Sequence, residues 1–188
     1  LKSLSLVSSF RDRHPICLAL LPLVGTATTF VYHRFGKGSH RGNNLIIESA
    51  EGEERVPLRM GILDFFFTVL THLCGGSAGR EGTAVQMGGT LTNKAADFFC
   101  LDGPDRRVLS LSGVSAGVGS VFGAPLAGAF FGLEFCHVGK LNYRALLPCC
   151  LASFTADLAA RSLGASHTEH FIQNVPPLGW RVLLTVLL

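Results

Sequence analysis

The sequence predicts an all-α, polytopic membrane helix bundle whose spans are broken rather than continuous. Three observations lead there. Hydrophobic residues fill 48% of the 188 positions and charged residues only 15%, whereas ordinary soluble domains carry about 25% charged residues. Two apolar runs, 15–32 and 108–133, stand out, and the second holds no charge at all. Roughly 20 apolar residues cross a bilayer, so the first run just suffices and the second exceeds the need. Glycine and proline then interrupt the apolar stretches instead of only bounding them, a pattern of transporters whose half-helices end near the membrane midplane.

Taken in order, a first membrane helix is expected over 14–34, followed by a flexible loop, G-K-G-S-H-R-G (36–42). A short helix starts at Asn43 or Asn44, because Asn is a favoured N-cap residue. The charged segment 51–59 is a surface loop with Pro57 as a helix opener. The apolar segment 60–74 carries one acid, Asp64, and runs into a glycine-rich turn. The next helix is expected from Gly82 to about Phe99, with Gly88 and Gly89 allowing close helix contact. A polar turn over 101–107 leads into 108–135, which is too long for one span and should break at G-A-P-L-A-G (123–128), because proline cannot continue a helix interior. A helix over 143–161, a polar loop over 164–177 and a final helix from Leu178 complete the pattern.

The chain starts at Leu1 without Met and stops at Leu188 inside an apolar pattern, so it is expected to be one membrane domain, 1–188, of a longer polypeptide. No n-region and cleavage site frame either end as a signal peptide. The net charge of +3 is too small and scattered for a nucleic-acid footprint. The basic group His33, Arg34, Lys37, His40 and Arg41 follows the first span as a cytoplasmic loop would, although Arg11 and Arg13 at the other end blur that orientation. The six cysteines form no C-x-x-C pair and read as small hydrophobes.

The turn G-S-A-G-R-E-G-T (76–83) concentrates the chemistry. A glycine-rich turn opening a helix offers unpaired N–H groups and the positive helix end to an anion. Glu81 at that spot competes with the anion and can be removed by protonation, so the turn reads as an anion site with a proton-sensitive gate. An acid in a membrane segment is functional by default because burying it is costly.

These residues also resemble a known family. G-S-A-G-R-E-G-T-A-V-Q-M-G-G (76–89) is similar to the gating-glutamate motif of CLC chloride channels and transporters. G-A-P-L-A-G-A-F-F-G-L-E (123–134) is similar to that family's downstream helix, and G-N-N-L-I-I-E (42–48) stands where its first anion-binding motif stands. The resemblance covers nearly the whole chain. It implies a first inverted repeat plus the start of the second, and a homodimer in the lipid bilayer with one inorganic-anion pore per subunit. Glu81 would be the external gating glutamate, with Gly79, Arg80 and Gly82 shaping the entrance and Gly42, Asn43 and Asn44 lining the inner anion position.

The departures point to a branch. Chloride members present G-S-G-I-P where this chain has Gly42-Asn43-Asn44-Leu45-Ile46, and proline where it has Thr83. Glu134 aligns with the first of two paired acids, and Phe135 takes the place of the second. These changes resemble the fluoride-exporting branch, which exchanges fluoride for protons. Asn amides supply N–H donors where a hydroxyl would otherwise sit. For Asn43 and Asn44, plain helix capping stays open beside ion contact. Glu134 is either a proton-path or interface residue or a helix-end cap beside His137 or Lys140.

Asp64 and Asp157 are expected to pair or snorkel near the membrane surface, and His72 to be held by a structural hydrogen bond rather than to sense pH. His167 and His170 are too few to make a zinc site. Phe130 or Phe131 is a weak pore-lining candidate; the other phenylalanines face lipid or core. The leading function is therefore fluoride/proton exchange, without cofactor and without enzymatic chemistry. A chloride channel or chloride/proton antiporter is the alternative. A soluble phosphate-binding enzyme is distant, since the turn lacks both the G-K-[ST] ending and the G-x-G-x-x-G spacing. The family's second anion motif, G-x-F-x-P, and its pore tyrosine do not occur in these 188 residues, so one wall of a pore is expected here.

Overall fold

Small side chains decide where the helices of this chain meet. The computed structural model describes residues 2–165 except 37, 53, 138 and 140. Among the described residues it holds eight α-helices and no strand. They are α1 (Lys2–Arg13), α2 (Leu21–Phe35), α3 (Asn43–Glu51), α4 (Arg59–Leu73), α5 (Arg80–Phe98), α6 (Gly103–Phe122), α7 (Pro125–Glu134) and α8 (Leu146–Ser162). Short 3-10 helices occupy Pro15–Leu20, Ser39–Arg41 and Tyr143–Ala145.

Helix α6 is the hub, packed against α3, α5, α7 and α8. It can be, because it presents glycine and serine where its neighbours press. A Cβ built on Gly113 would stand 2.5 Å from the Gly88 carbonyl oxygen of α5, and one on Gly88 would collide with the Gly113 carbonyl. Backbone therefore touches backbone across α5 and α6, the close approach that small residues permit in membranes. Two apolar clusters flank this seam. Leu45, Ile46, Val56, Met60, Val85, Val114 and Val118 form one, and Leu111, Leu133, Ala145 and Cys149 the other.

Polar side chains share the interior with these clusters, and many large apolar side chains lie outside. Thr90, Asn93, Ser110, Ser115 and Ser153 are buried, while Leu23, Phe66, Phe98, Leu147 and Leu158 are each at least 65% exposed. Outward apolar side chains facing lipid, with small and polar residues gluing the interior, are the arrangement a bilayer imposes. The continuous stretch Ile16–Phe35 is, among the described residues, the one helical segment long and apolar enough to cross a membrane by itself. The first span was expected over 14–34, and it combines the turn Pro15–Leu20 with α2.

Most expected breaks occur where proline and glycine put them. Prolines occupy the first or second helical position of α2, α6 and α7. Gly123 ends α6 in a left-handed conformation with φ 66°, and Pro125 opens α7 two residues later. The run 108–135 is thus two helices, as expected. Helix α5 begins at Arg80, two residues before its expected start at Gly82, and α1 was not anticipated. All six cysteines are free. The expected final helix from Leu178, and the His167 and His170 pair, lie outside the described residues.

Candidate functional site

Helices α3 and α5 run parallel, and their N-termini face the same way. Two polar rungs establish this. Asn43 at the start of α3 accepts a hydrogen bond from Gln86 at 3.0 Å, and Asn93 near the end of α5 donates to Ser49 near the end of α3. Residue numbers rise together along both helices. Because α5 begins six residues before Gln86, its N-terminus lies about 9 Å further along the common axis than that of α3. Two positive helix ends are thereby offset along the common axis direction, each able to attract an anion.

At the N-terminus of α5, Gly79 is the N-cap, extended at φ −64° and ψ 127°, and no side chain caps the helix. Glu81 lies in the first turn, exposed, as are Gly79 and Arg80; Gly82 is half-buried. The glutamate is the acid in that turn, at the end where its charge is favourable. Thr83 earns its place differently. Its hydroxyl lies 2.8 Å from the Thr68 hydroxyl of α4 and donates to the Gly79 carbonyl at 3.1 Å. It ties the first turn of α5 to the preceding helix.

At the N-terminus of α3, Gly42 is the N-cap with φ 58°, and again no side chain caps the helix. This excludes the plain capping role weighed for the asparagines. Asn43 is the first helical residue and its amide is engaged sideways by Gln86, while Asn44 is exposed. Gly42 could not be larger without strain, since its φ is positive and a Cβ would meet Gln86 Nε2 at 3.1 Å.

Asp64 is the residue that sequence reasoning misplaced. Expected near the membrane surface, it is only 6% exposed and accepts a hydrogen bond from the Tyr32 hydroxyl of α2. The Gln86 amide is its other neighbour. Turned by 180°, that amide places nitrogen 2.7 Å and 3.2 Å from the two carboxyl oxygens. Tyr32, Asp64, Gln86 and Asn43 form one chain of polar contacts drawn from α2, α4, α5 and α3. A single acid in an apolar run was the available signal; which face of α4 it occupied was not readable.

The remaining expectations fall outside this cluster. Glu134 ends α7 and is exposed; His137 instead lies 3.4 Å from Glu51. His72 Nδ1 is 2.8 Å from the Thr68 carbonyl one turn earlier, a local structural contact. Asp157 pairs with Arg161 at 2.8 Å. Phe130 and Phe131 are exposed. In the loop ahead of α3, Arg41 bridges Glu48 and Glu54, and these bonds, that to Glu54 first, raise its proton affinity further. Among the described residues no group of His, Cys, Asp and Glu could hold a metal ion.

Comparison with known proteins bears on this geometry. Residues 24–188 match the family model described as voltage gated chloride channel. The chain is 45% identical over 188 residues to a chloride/fluoride channel protein of Pseudomonas syringae pv. tomato, covering 99% of this chain and 42% of that one. It is 26% identical over 152 residues to an uncharacterised protein of Methanocaldococcus jannaschii, covering 79% and 36%. Its fold superposes with TM-score 0.90 and 36% identity on the crystal structure of a CLC-type fluoride/proton antiporter, across 99% of this chain and 47% of that one. The chain therefore spans less than half the length of these relatives.

Proposed function

Since the chain belongs to the voltage-gated chloride channel family, we propose that it forms the first wall of a multi-pass anion transporter of the cell membrane that exchanges fluoride for protons. The observation that carries this reading is the pair of staggered, side-chain-free helix N-termini, with Glu81 at the outer one and Asn43 at the inner one. A helix end attracts an anion without a full countercharge, so the ion binds and still leaves. Glu81, when ionised, fills the outer position. When protonated it loses its reason to stay there and admits the anion, and its later deprotonation returns it. That alternation links the two fluxes without a cofactor or covalent chemistry.

Fluoride is favoured by the amides. The ion is small and strongly hydrated, and it leaves water only for several good donors; Asn43 and Asn44 offer N–H groups at the start of α3. The Pseudomonas relative is named for both chloride and fluoride, which keeps chloride transport as the second reading. The whole domain 1–188 is taken as one membrane unit, completed by the rest of a longer protein and paired with a second copy. The exposed apolar side chains of α7 and α8, such as Leu126, Leu147 and Phe154, suit lipid or such a copy.

The test is ion efflux from proteoliposomes containing the complete reading frame. Fluoride release well above chloride is expected, with proton movement in the opposite direction. Glu81→Gln should abolish the proton movement and alter the anion flux. Equal or faster chloride release would move the protein to the chloride reading, and proton-coupled flux in the Glu81→Gln variant would remove Glu81 as the gate.

A further inference from the structure

Asp64 is a buried carboxyl without a cation. Among the described residues it takes part in no ion pair, and the groups that meet it are neutral. Tyr32 reaches it from α2 and Gln86 from α5. On its own helix, Arg59 is spent on the Phe35 carbonyl and His72 on the Thr68 carbonyl. From α1, Arg11 pairs with Asp12, and Glu81 lies five residues before Gln86 along α5. An isolated acid in such a place is a functional candidate on general grounds.

Its neighbour makes it more specific. The Gln86 amide has a donor end and an acceptor end, and it stands between Asp64 and Asn43. An ionised carboxylate only accepts, whereas a protonated one also donates. If Asp64 is ionised, Tyr32 donates to one oxygen and the Gln86 nitrogen donates to the other at 2.7 Å. The Gln86 oxygen then faces Asn43, so Asn43 must spend its NH2 group on it and turn its carbonyl oxygen outward. If Asp64 is protonated, the polarity reverses. Its proton goes to the Gln86 oxygen, the Gln86 nitrogen donates to Asn43 Oδ1 at 3.0 Å, and the Asn43 NH2 group is left to face the ion.

We propose that Asp64 is a positioning residue whose protonation, relayed through Gln86, sets whether Asn43 presents an N–H donor or a carbonyl oxygen to the inner anion position. No bond is made or broken beyond transfer of one proton to the carboxylate from hydronium or protonated buffer, which is left as water or free buffer base. An anion that prefers the donor end binds more tightly when Asp64 is protonated, and by reciprocity its binding takes up that proton. This rests on the anion-site reading above, and it adds a second proton-linked group, distinct from the gate.

The test uses the full-length protein in detergent, with Glu81→Gln in place so that the gate no longer titrates, and sodium fluoride as the probe. Calorimetric fluoride binding should weaken with rising pH, by at most about tenfold per pH unit for one linked proton. In weakly buffered solution, adding fluoride should take up protons. Adding Asp64→Asn should flatten the pH dependence near the tight limit, because a carboxamide donates to Gln86 at every pH. Fluoride binding by Glu81→Gln without proton uptake would overturn this inference alone, whether or not the double variant folds. A pH dependence unchanged in the folded double variant would do the same. Absence of any fluoride binding by the wild-type protein and by Glu81→Gln would overturn the anion site itself, and the inference with it.

Discussion

The same two helices, α3 and α5, are joined at two polar rungs of opposite character. At the N-terminal rung, Asn43 meets Gln86, and behind them Asp64 and Tyr32 complete a chain with no cation in it. At the C-terminal rung, Asn93 meets Ser49, and behind them Arg106 binds each neighbouring acceptor. Its guanidinium donates to Asn93 Oδ1 at 2.8 Å, to Asp97 at 2.6 Å and to the Leu101 carbonyl at 3.0 Å. The compensated rung has one satisfying arrangement of protons, because a guanidinium only donates and is never deprotonated. The uncompensated rung has two. Polar residues buried between the same helices thus serve as a fastener at one end and as a switchable contact at the other.

The comparison breaks first at Arg106. Arg106→Ala leaves the buried Asn93 Oδ1 without its donor and takes from the half-buried Asp97 the nearer of its two cations, and should cost about 2 kcal/mol, read as a lower unfolding temperature in detergent. The surviving folded protein should keep its proton-to-fluoride ratio. A changed ratio at unchanged stability would mean that the C-terminal rung is functional after all.

The paired asparagines sharpen it. Asn93→Ala should destabilise by about 1 kcal/mol, in the range of interhelical hydrogen bonds in membranes, with ion selectivity intact. Asn43→Ala should cost about 0.6 kcal/mol yet reduce fluoride flux in proteoliposomes about tenfold, the equivalent of about 1.4 kcal/mol. Similar behaviour of the two variants in both assays would erase the distinction between the rungs. The smallest effect belongs to Arg55, whose side chain is 72% exposed and 3.5 Å from Asp97. Arg55→Ala should shift stability by less than about 0.5 kcal/mol in the same melting assay; a larger shift would show that Arg106 does not suffice to neutralise Asp97.

Much of the architecture was readable before the structure, for reasons that can be named. Gly123 and Pro125 had to divide the long apolar run, since one supplies positive φ and the other cannot continue a helix. The turn before α5 was readable because glycine, a lone acid and an apolar segment come together in eight residues. Asp64 was not, because its meaning depends on which face of α4 it occupies and on Tyr32 and Gln86, 32 and 22 positions away. Arg106 was hidden in the same manner. It was read as part of a polar turn, but the first turn of α6 folds it back under α5 at 6% exposure. Local rules mark where helices begin and end; the partners of a buried polar atom come from assembly.

The glycine seam between α5 and α6 has a mechanical corollary. Where Gly88 and Gly113 bring main chain against main chain, there is no layer of side chains to slide, and interlocked surfaces of this kind do not deform gradually. Helix α5 carries Glu81 at one end and is braced along its length by α6, so the two travel as a single strut. On the gating role proposed for Glu81, the carboxylate would swing by rotation about its own side-chain bonds on a strut that α6 braces, and not by the tilting of a helix.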